Sequence, residues 1–392
     1  MARHVIIGGG IAGVSAAEEI RKIDPASDIT LFEIEEIPCY SRVLLPHYVK
    51  GIVPREKVFL RAPDWYGRQG IDWRHGVHVE GVDVSNSFVT TSEGREEPFD
   101  TLLITTGTEV TTLPEQPRGV SYLSELGDAD HLRELLAEVR AKGDDARGFI
   151  YGGGFIAFEY ANIFAHYKVP FAIAMRGSGF WSKVLSSASQ AVLAQHAQAK
   201  GVQVYFNEPQ PEILGGLTLE GVRLSGGVSQ SVDILGIGIG SLPQHSLAKA
   251  AGLGVDRGIL ANEYLETSLP HVYTAGDVSQ AFDLNVRRNV QYGNWMNAQR
   301  QGMTVGKTMA GERTAFKLVS SYATQFLGKH VVFIGDVSRE AADEVRQVVL
   351  EQDVAQEIFL RNGMVVGASL IGDTSQRAAL TASIGQRADD VL

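Results

Sequence analysis

Cysteine is almost missing from this chain. Cys39 is the single example in 392 residues, which excludes an intrachain disulfide, an internal Cys-x-x-Cys pair and a cysteine-ligated iron-sulfur cluster carried by this chain alone. Any redox chemistry must therefore use a bound cofactor, and Cys39 itself reads as a small, partly buried loop side chain, its alternative being a reactive thiol. Long hydrophobic runs are missing too. No apolar stretch approaches the roughly 20 residues that span a bilayer, and the first strand begins directly at the N-terminus, which leaves no room for a signal sequence. A cytoplasmic setting without membrane contact is the expectation. There is also no excess of positive charge: 35 Lys and Arg against 46 Asp and Glu give a formal charge of −11. That balance argues against a phosphate-backbone footprint, so no nucleic-acid partner is expected. Low-complexity segments and Gly/Ser-rich or Pro-rich linkers are absent.

What is present is apolar content of 44% over a length that suits two or three buried cores. The most informative residues are Gly8-Gly9-Gly10-Ile11-Ala12-Gly13. They follow a short apolar strand, His4 to Ile7, and open a helical pattern from Ile11 to Lys22; a second strand, Ile29 to Phe32, then runs into Glu33, twenty residues beyond Gly13. This is a dinucleotide-binding fingerprint. Gly8 permits the tight turn, Gly10 lets a pyrophosphate approach the backbone, and Gly13 lets helix and strand pack closely while the helix N-terminus faces the anion. Glu33 is placed to accept hydrogen bonds from ribose hydroxyls.

The device occurs twice. Phe149-Ile150-Tyr151 runs into Gly152-Gly153-Gly154, a helical stretch reaches His166, and an apolar strand spans Val169 to Ala174. Two such units predict two dinucleotides in one protein. Ala157 takes the third glycine's place, where packing rather than phosphate approach is at stake. Met175-Arg176 stands where a carboxylate would favour NAD; Arg176 either accommodates the 2′-phosphate of NADP or is a solvated residue after a strand.

Between the two units, Val82 to Thr91 alternates like strands of a small meander, Phe99 to Thr105 reads as a buried strand ending in Thr106-Gly107, and Asp128 to Lys142 has helical periodicity. The second unit closes on the glycine-punctuated run from Asp233 to Gly240, followed by Pro243. A further strand from His271 ends in Gly276-Asp277, and a long helix runs from about Gly293 to Met309. From Gly311 onward short alternating strands take over, such as Val331 to Ile334 and Met364 to Ile371, with a hairpin signal at Asn362-Gly363.

Together these motifs resemble, over nearly the whole chain, the pyridine nucleotide-disulfide oxidoreductase superfamily, and within it the branch of rubredoxin reductases, ferredoxin reductases and nitrite-reductase flavin domains. The resemblance implies an α/β fold with two Rossmann-like domains, an NAD(P)H domain (115–240) inserted in an FAD domain (1–114 and 241–310), and a small α+β C-terminal interface domain (311–392). FAD would be held by Gly8, Gly10, Gly13 and Glu33. Arg42, of Tyr40-Ser41-Arg42, would lie close to it, with the Thr106-Gly107 turn, and with Gly276 and Asp277 of Thr274-Ala275-Gly276-Asp277, the aspartate on the ribityl chain. Trp295, of Trp295-Met296-Asn297-Ala298, and Gly302 match the helix that ends near the flavin ring. NAD(P)H would be held by Gly152, Gly154, Arg176 and Gly240, the last from Gly240-Ser241-Leu242-Pro243. Glu159 falls where relatives carry a glutamate beside the nicotinamide and would act catalytically by orienting the hydride donor; its alternative is an ordinary helix carboxylate favoured by the helix dipole. No metal site is expected. One departure is informative: the redox cysteine of the coenzyme A-disulfide reductases would lie three residues before Pro46, where this chain has Val43, and Cys39 is four residues too early.

The implied activity passes hydride between NAD(H) and FAD and single electrons between FAD and an iron-sulfur partner. Three settings fit: the NAD-reducing flavoprotein subunit of a multi-subunit 2-oxoacid dehydrogenase such as phenylglyoxylate dehydrogenase, a stand-alone rubredoxin or ferredoxin reductase, or a non-catalytic FAD-binding scaffold. Membership of an oligomer or complex is expected.

Overall fold

The computed structural model describes residues 1–391. Two compact units emerge, each built from separated stretches of chain: Met1–Ser41, Arg55–Glu109 and Ser241–Ser320 form the first, and Arg42–Pro54, Val110–Gly240 and Ser321–Leu392 form the second.

The first unit is built on a five-stranded parallel sheet in the order Val272–Thr274, Thr101–Ile104, Arg3–Ile7, Asp28–Glu33, Ile71–His75. Its central strands are continuous apolar runs because both faces are covered. Val5 and Ile7 face one core with Phe32, Val89 and Leu102, while Ile6 faces another with Val14, Leu31 and Leu103. On the first of these faces lies a small antiparallel sheet, Val79–Asp83, Phe88–Thr91 and Glu96–Pro98. The run Val82 to Thr91 thus spans the end of one strand and all of the next, the meander its alternation predicts. The other face carries the helix Ile11–Ile23, packed on the helix Trp295–Met309. Glycine makes that contact possible: a Cβ at Gly302 would collide with the Ala12 carbonyl oxygen, and one at Gly306 would come within 2.6 Å of the Ala16 carbonyl oxygen.

The second unit repeats the parallel architecture in the order Gln203–Tyr205, Phe171–Ala174, Gly148–Tyr151, Ile234–Ile237, Val120–Ser121. It adds a five-stranded antiparallel sheet, Ser321–Phe326, Lys329–Gly335, Met364–Ile371, Ala355–Arg361 and Glu344–Leu350. The hairpin at Asn362-Gly363 forms as expected, with both residues at positive φ (51° and 71°) and Arg361 paired with Met364. The segment that follows Ser41, a 3-10 turn and the short helix Leu45–Val49, belongs here because its polar groups are taken up here. Tyr48 donates to Asp130, Arg133 donates to the Tyr48 carbonyl at 2.6 Å, and Tyr167 donates to the Val49 carbonyl at 2.6 Å. Among the described residues no helix is long and apolar enough to cross a membrane.

Candidate functional site: two glycine turns

In the first unit the turn after Arg3–Ile7 is fixed from three sides. Gly8 has φ +108°, and its N–H donates to the Phe32 carbonyl at 2.9 Å. Thr105 donates its hydroxyl to the carbonyls of Ile7 (3.0 Å) and Gly8 (2.9 Å), so the residue beside the expected Thr106-Gly107 pair buttresses the turn. Thr106 instead donates to the Gln244 carbonyl at 2.6 Å, and Gly107 takes φ +68°. A Cβ at Gly13 would collide with the Gly8 carbonyl oxygen, whereas one at Gly10 would meet no atom within 4 Å. Gly10 therefore borders open space, and it is the N-cap of a helix with no side-chain cap, so the first-turn N–H groups point there unpaired by any cap. Glu33 accepts from Gly9 N–H at 2.6 Å and from Glu35 N–H at 3.0 Å, which anchors the carboxylate at the mouth of the turn.

Gly276 and Asp277 follow the outermost strand. Gly276 has φ +82° and donates its N–H to Gln301 Oε1 at 2.8 Å; Gln301 is buried on the long helix and was not evident from sequence. The Asp277 carbonyl accepts from Gln291 at 2.6 Å. The same region of the first unit contains buried polar atoms without a partner among the described residues: Trp295 Nε1, Asn297 Oδ1 and Ser279 Oγ. Orphaned donors and acceptors in a core cost free energy unless a further group pairs with them. These residues thus fit a bound polar cofactor at the N-terminal end of Trp295–Met309. Arg42 is in the second unit, donating to the Ser124 carbonyl (2.6 Å) and hydroxyl (3.3 Å).

The second unit reproduces the turn with altered chemistry. Gly152 has φ +142°, and a Cβ there would collide with the Gly238 carbonyl oxygen. Gly154 is again the N-cap of a helix, Phe155–Tyr167, without a side-chain cap, and a Cβ added to it would find only the Trp181 ring, 4.0 Å away. Ala157 is fully buried, and a Cβ at Gly238 would come within 2.8 Å of its backbone N, so a glycine at the neighbouring strand's end lets the helix backbone approach closely. Where Glu33 faces Gly9 in the first turn, the Met175 thioether faces Gly153, its sulfur 2.7 Å from where a Cβ on that glycine would lie. Arg176 is exposed and reaches the Tyr151 hydroxyl, whose pKa burial raises and the Arg176 charge and hydrogen bond pull back. Gly240 takes φ +102°, and its carbonyl accepts from Thr111 at 3.0 Å. Glu159 lies half-buried on the helix, with Thr324 donating at 3.4 Å; burial pushes its carboxyl pKa up, against the opposing pull of Lys50 and Thr324.

Two parallel sheets, each with an uncapped helix opening on a glycine turn, define a protein of the two-dinucleotide α/β class. The chain belongs to the pyridine nucleotide-disulphide oxidoreductase family, whose model matches residues 2–302. Members bind FAD and use NAD(P)H, and the chain is accordingly an oxidoreductase of the flavoprotein class. It is 29% identical over 394 residues to a nitrite reductase [NAD(P)H] of Bacillus subtilis (strain 168), covering 98% of this chain and 47% of that protein. It is 26% identical to the ferredoxin–NAD(+) reductase component of a biphenyl dioxygenase system of Paraburkholderia xenovorans (strain LB400), covering 97% and 93%. Its fold matches the covalent putidaredoxin reductase–putidaredoxin complex with a TM-score of 0.89 at 22% identity, covering 100% and 95%. The chain spans about half the length of two of the curated relatives it matches.

Proposed function

We propose that this chain passes hydride between NAD(P)H and FAD, and single electrons between FAD and a small iron-sulfur protein or subunit, in the cytoplasm. When bound, FAD supplies the conversion between two-electron and one-electron transfer. The observation that carries the reading is the pairing of two glycine turns with a single, buried cysteine. The chain has two dinucleotide cradles and no disulfide of its own to reduce, so its electrons leave to another molecule. The relatives' names support the acceptor class: ferredoxin–NAD(+) reductase components and a rubredoxin–NAD(+) reductase of Pseudomonas putida are among them.

In this reading residues 1–114 and 241–310 hold FAD, 115–240 hold NAD(P)H and 311–392 form an interface domain. Gly8 and Gly10 cradle the FAD pyrophosphate, Gly13 lets the helix pack close behind them and Glu33 takes the ribose; Thr106, Gly107, Gly276, Asp277 and Trp295 line the remainder. Gly152, Gly154, Arg176 and Gly240 hold the nicotinamide nucleotide. Glu159, half-buried on the helix Phe155–Tyr167, orients the nicotinamide.

A second reading, in which the chain serves as the flavoprotein subunit of a larger assembly such as a 2-oxoacid (phenylglyoxylate) dehydrogenase, is favoured by the half-length match to larger relatives, among them an assimilatory nitrate reductase electron transfer subunit of Bacillus subtilis (strain 168). The test is anaerobic stopped-flow reduction of the FAD-loaded chain by NADH and by NADPH. Rapid bleaching of the flavin band by either is expected; a flavin that stays oxidised with both would leave an FAD-binding scaffold. Gly154→Val should retain FAD and lose the bleaching, because its side chain fills the open space at the second turn.

A further inference from the structure

The two glycine turns are closed off by different means. In the first, the Glu33 carboxylate ties the strand end to the turn through Gly9 N–H and supports the following loop through Glu35 N–H. In the second, Met175 can make neither bond, so the loop after Phe171–Ala174 must be held otherwise. The backbone supplies one tie, from Trp181 N–H to the Gly153 carbonyl at 3.1 Å. This places the indole against Gly154 and requires Trp181 to adopt φ +54°, a left-handed conformation that a bulky side chain keeps only when its surroundings enforce it.

The enforcing groups are Glu357, on the strand Ala355–Arg361 of the C-terminal sheet, and Arg339, in the 3-10 turn Arg339–Ala341 that connects two of its strands. Arg339 Nε donates to the Val184 carbonyl at 2.8 Å, and its Nη2 donates to Glu357 Oε2 at 2.7 Å. The other oxygen of Glu357 accepts from Ser186 N–H at 2.9 Å and from the Ser189 hydroxyl at 2.6 Å. Glu357 is 1% exposed, so its charge is satisfied only by this set of donors. Phe333, on the same sheet, closes the far side of the indole at a centroid distance of 4.8 Å, with Phe155 at 4.1 Å.

We propose that Glu357 and Arg339 are positioning residues of the second dinucleotide site: through loop 175–186 they fix Trp181 as its wall and Arg176 at its rim. The C-terminal sheet thereby replaces the missing strand-end carboxylate. This rests on the assignment of that turn to NAD(P)H.

The test is equilibrium binding of NAD+ and of NADP+ to the oxidised, FAD-loaded chain by titration calorimetry, with stopped-flow reduction alongside. Ser189→Ala removes one bond of the set and Glu357→Gln removes the arginine arm. Both should weaken nucleotide binding, Glu357→Gln by about 10-fold, while the bleaching rate at saturating nucleotide stays unchanged and tryptic cleavage at the exposed Lys183 speeds up. Arg339→Lys should recover part of what Arg339→Ala loses. Lys329→Met breaks a pair on the same sheet, Lys329 with Asp353 at 2.9 Å, that does not touch the loop, and should leave binding unaltered. Unchanged affinity in both Ser189→Ala and Glu357→Gln overturns the inference, as does an equal loss in Lys329→Met, which would mark general weakening of the sheet. A wild-type chain that binds neither nucleotide overturns both this inference and the nucleotide assignment beneath it.

Discussion

Gly10 and Gly13 belong to one motif, yet a methyl group on each meets different surroundings. At Gly13 it would strike the Gly8 carbonyl oxygen, so Gly13→Ala should strain the apoprotein by roughly 1–3 kcal/mol, read as a lower Tm with or without FAD. At Gly10 it would enter space that no protein atom fills. Gly10→Ala should therefore leave the apoprotein's Tm within about 0.5 kcal/mol of wild type, while the purified chain carries much less FAD, measured from the ratio of flavin to protein absorbance. An equal loss of Tm in both variants would move the cofactor elsewhere. Glu159 makes a second case, because burial raises its carboxyl above the ordinary 4.5. The folded state then holds this proton more tightly than the unfolded state, so the group's contribution is full below pH 4.5 and is lost as pH rises through the raised value. Glu159→Gln should thus be more heat-stable than wild type at neutral pH, with the gain vanishing on acidification below 4.5. It should also slow flavin reduction by about 10-fold through misplacement of the nicotinamide. A stability gain that persists below pH 4.5 would contradict this account of the carboxyl. The glycines and Glu33 were legible in the sequence because each answers a backbone demand of its own turn. Thr105, Gln301 and Glu357 were not: they act across 97, 25 and 171 residues of sequence, on the Gly8 carbonyl, the Gly276 N–H and the Ser186 N–H, and no local pattern marks a donor or acceptor whose partner is that far away.

At the scale of elements, the helices Ile11–Ile23 and Trp295–Met309 are brought together by small residues rather than by interdigitating large ones. Gly302 and Gly306 stand one turn apart on one helix and face Ala12 and Ala16 on the other, so backbone approaches backbone. The same approach holds Ala12 3.2 Å from where a Gly276 Cβ would lie, with Ala298 of the second helix at 3.9 Å, tying this strand end to both helices. Gly306→Ala must push the helices apart by enough to clear a 2.6 Å contact, and should destabilise by roughly 1–3 kcal/mol. Because the displaced helix begins at Trp295, faster FAD release is expected to accompany the fall in Tm, followed by the recovery of flavin fluorescence after dilution. Tm loss without faster release would show the helix contact to be structural only. The helices themselves were readable from periodicity and from the glycine fingerprint, but their mutual packing was not. Likewise the meander over Val82 to Thr91 follows from alternation, whereas the capture of Arg42–Pro54 by the second unit depends on Asp130, Arg133 and Tyr167, residues 82 to 118 positions away.

For the molecule as a whole, the count of redox groups decides how many electrons it can store. A family member with a redox-active disulfide beside its flavin holds two electrons on each and takes up four. Here the only cysteine is Cys39, buried, with its N–H accepted by the Tyr66 hydroxyl at 3.0 Å, so no second thiol of this chain can pair with it. Anaerobic titration with dithionite should therefore end at two electrons per FAD, and one equivalent of NADH or NADPH should suffice for complete bleaching. Uptake of four electrons would reveal another redox centre and sink the proposal that electrons pass from FAD straight to an external acceptor. With two electrons stored and a one-electron iron-sulfur acceptor, each reduced chain must discharge twice. Mixing the reduced protein with a two-fold excess of an oxidised [2Fe–2S] ferredoxin or a rubredoxin should return the full flavin band with two acceptors reduced per FAD. Discharge to neither, from a chain that nicotinamide does reduce, would favour a dedicated subunit as the partner, because the chain would then hold its electrons until the right surface is docked.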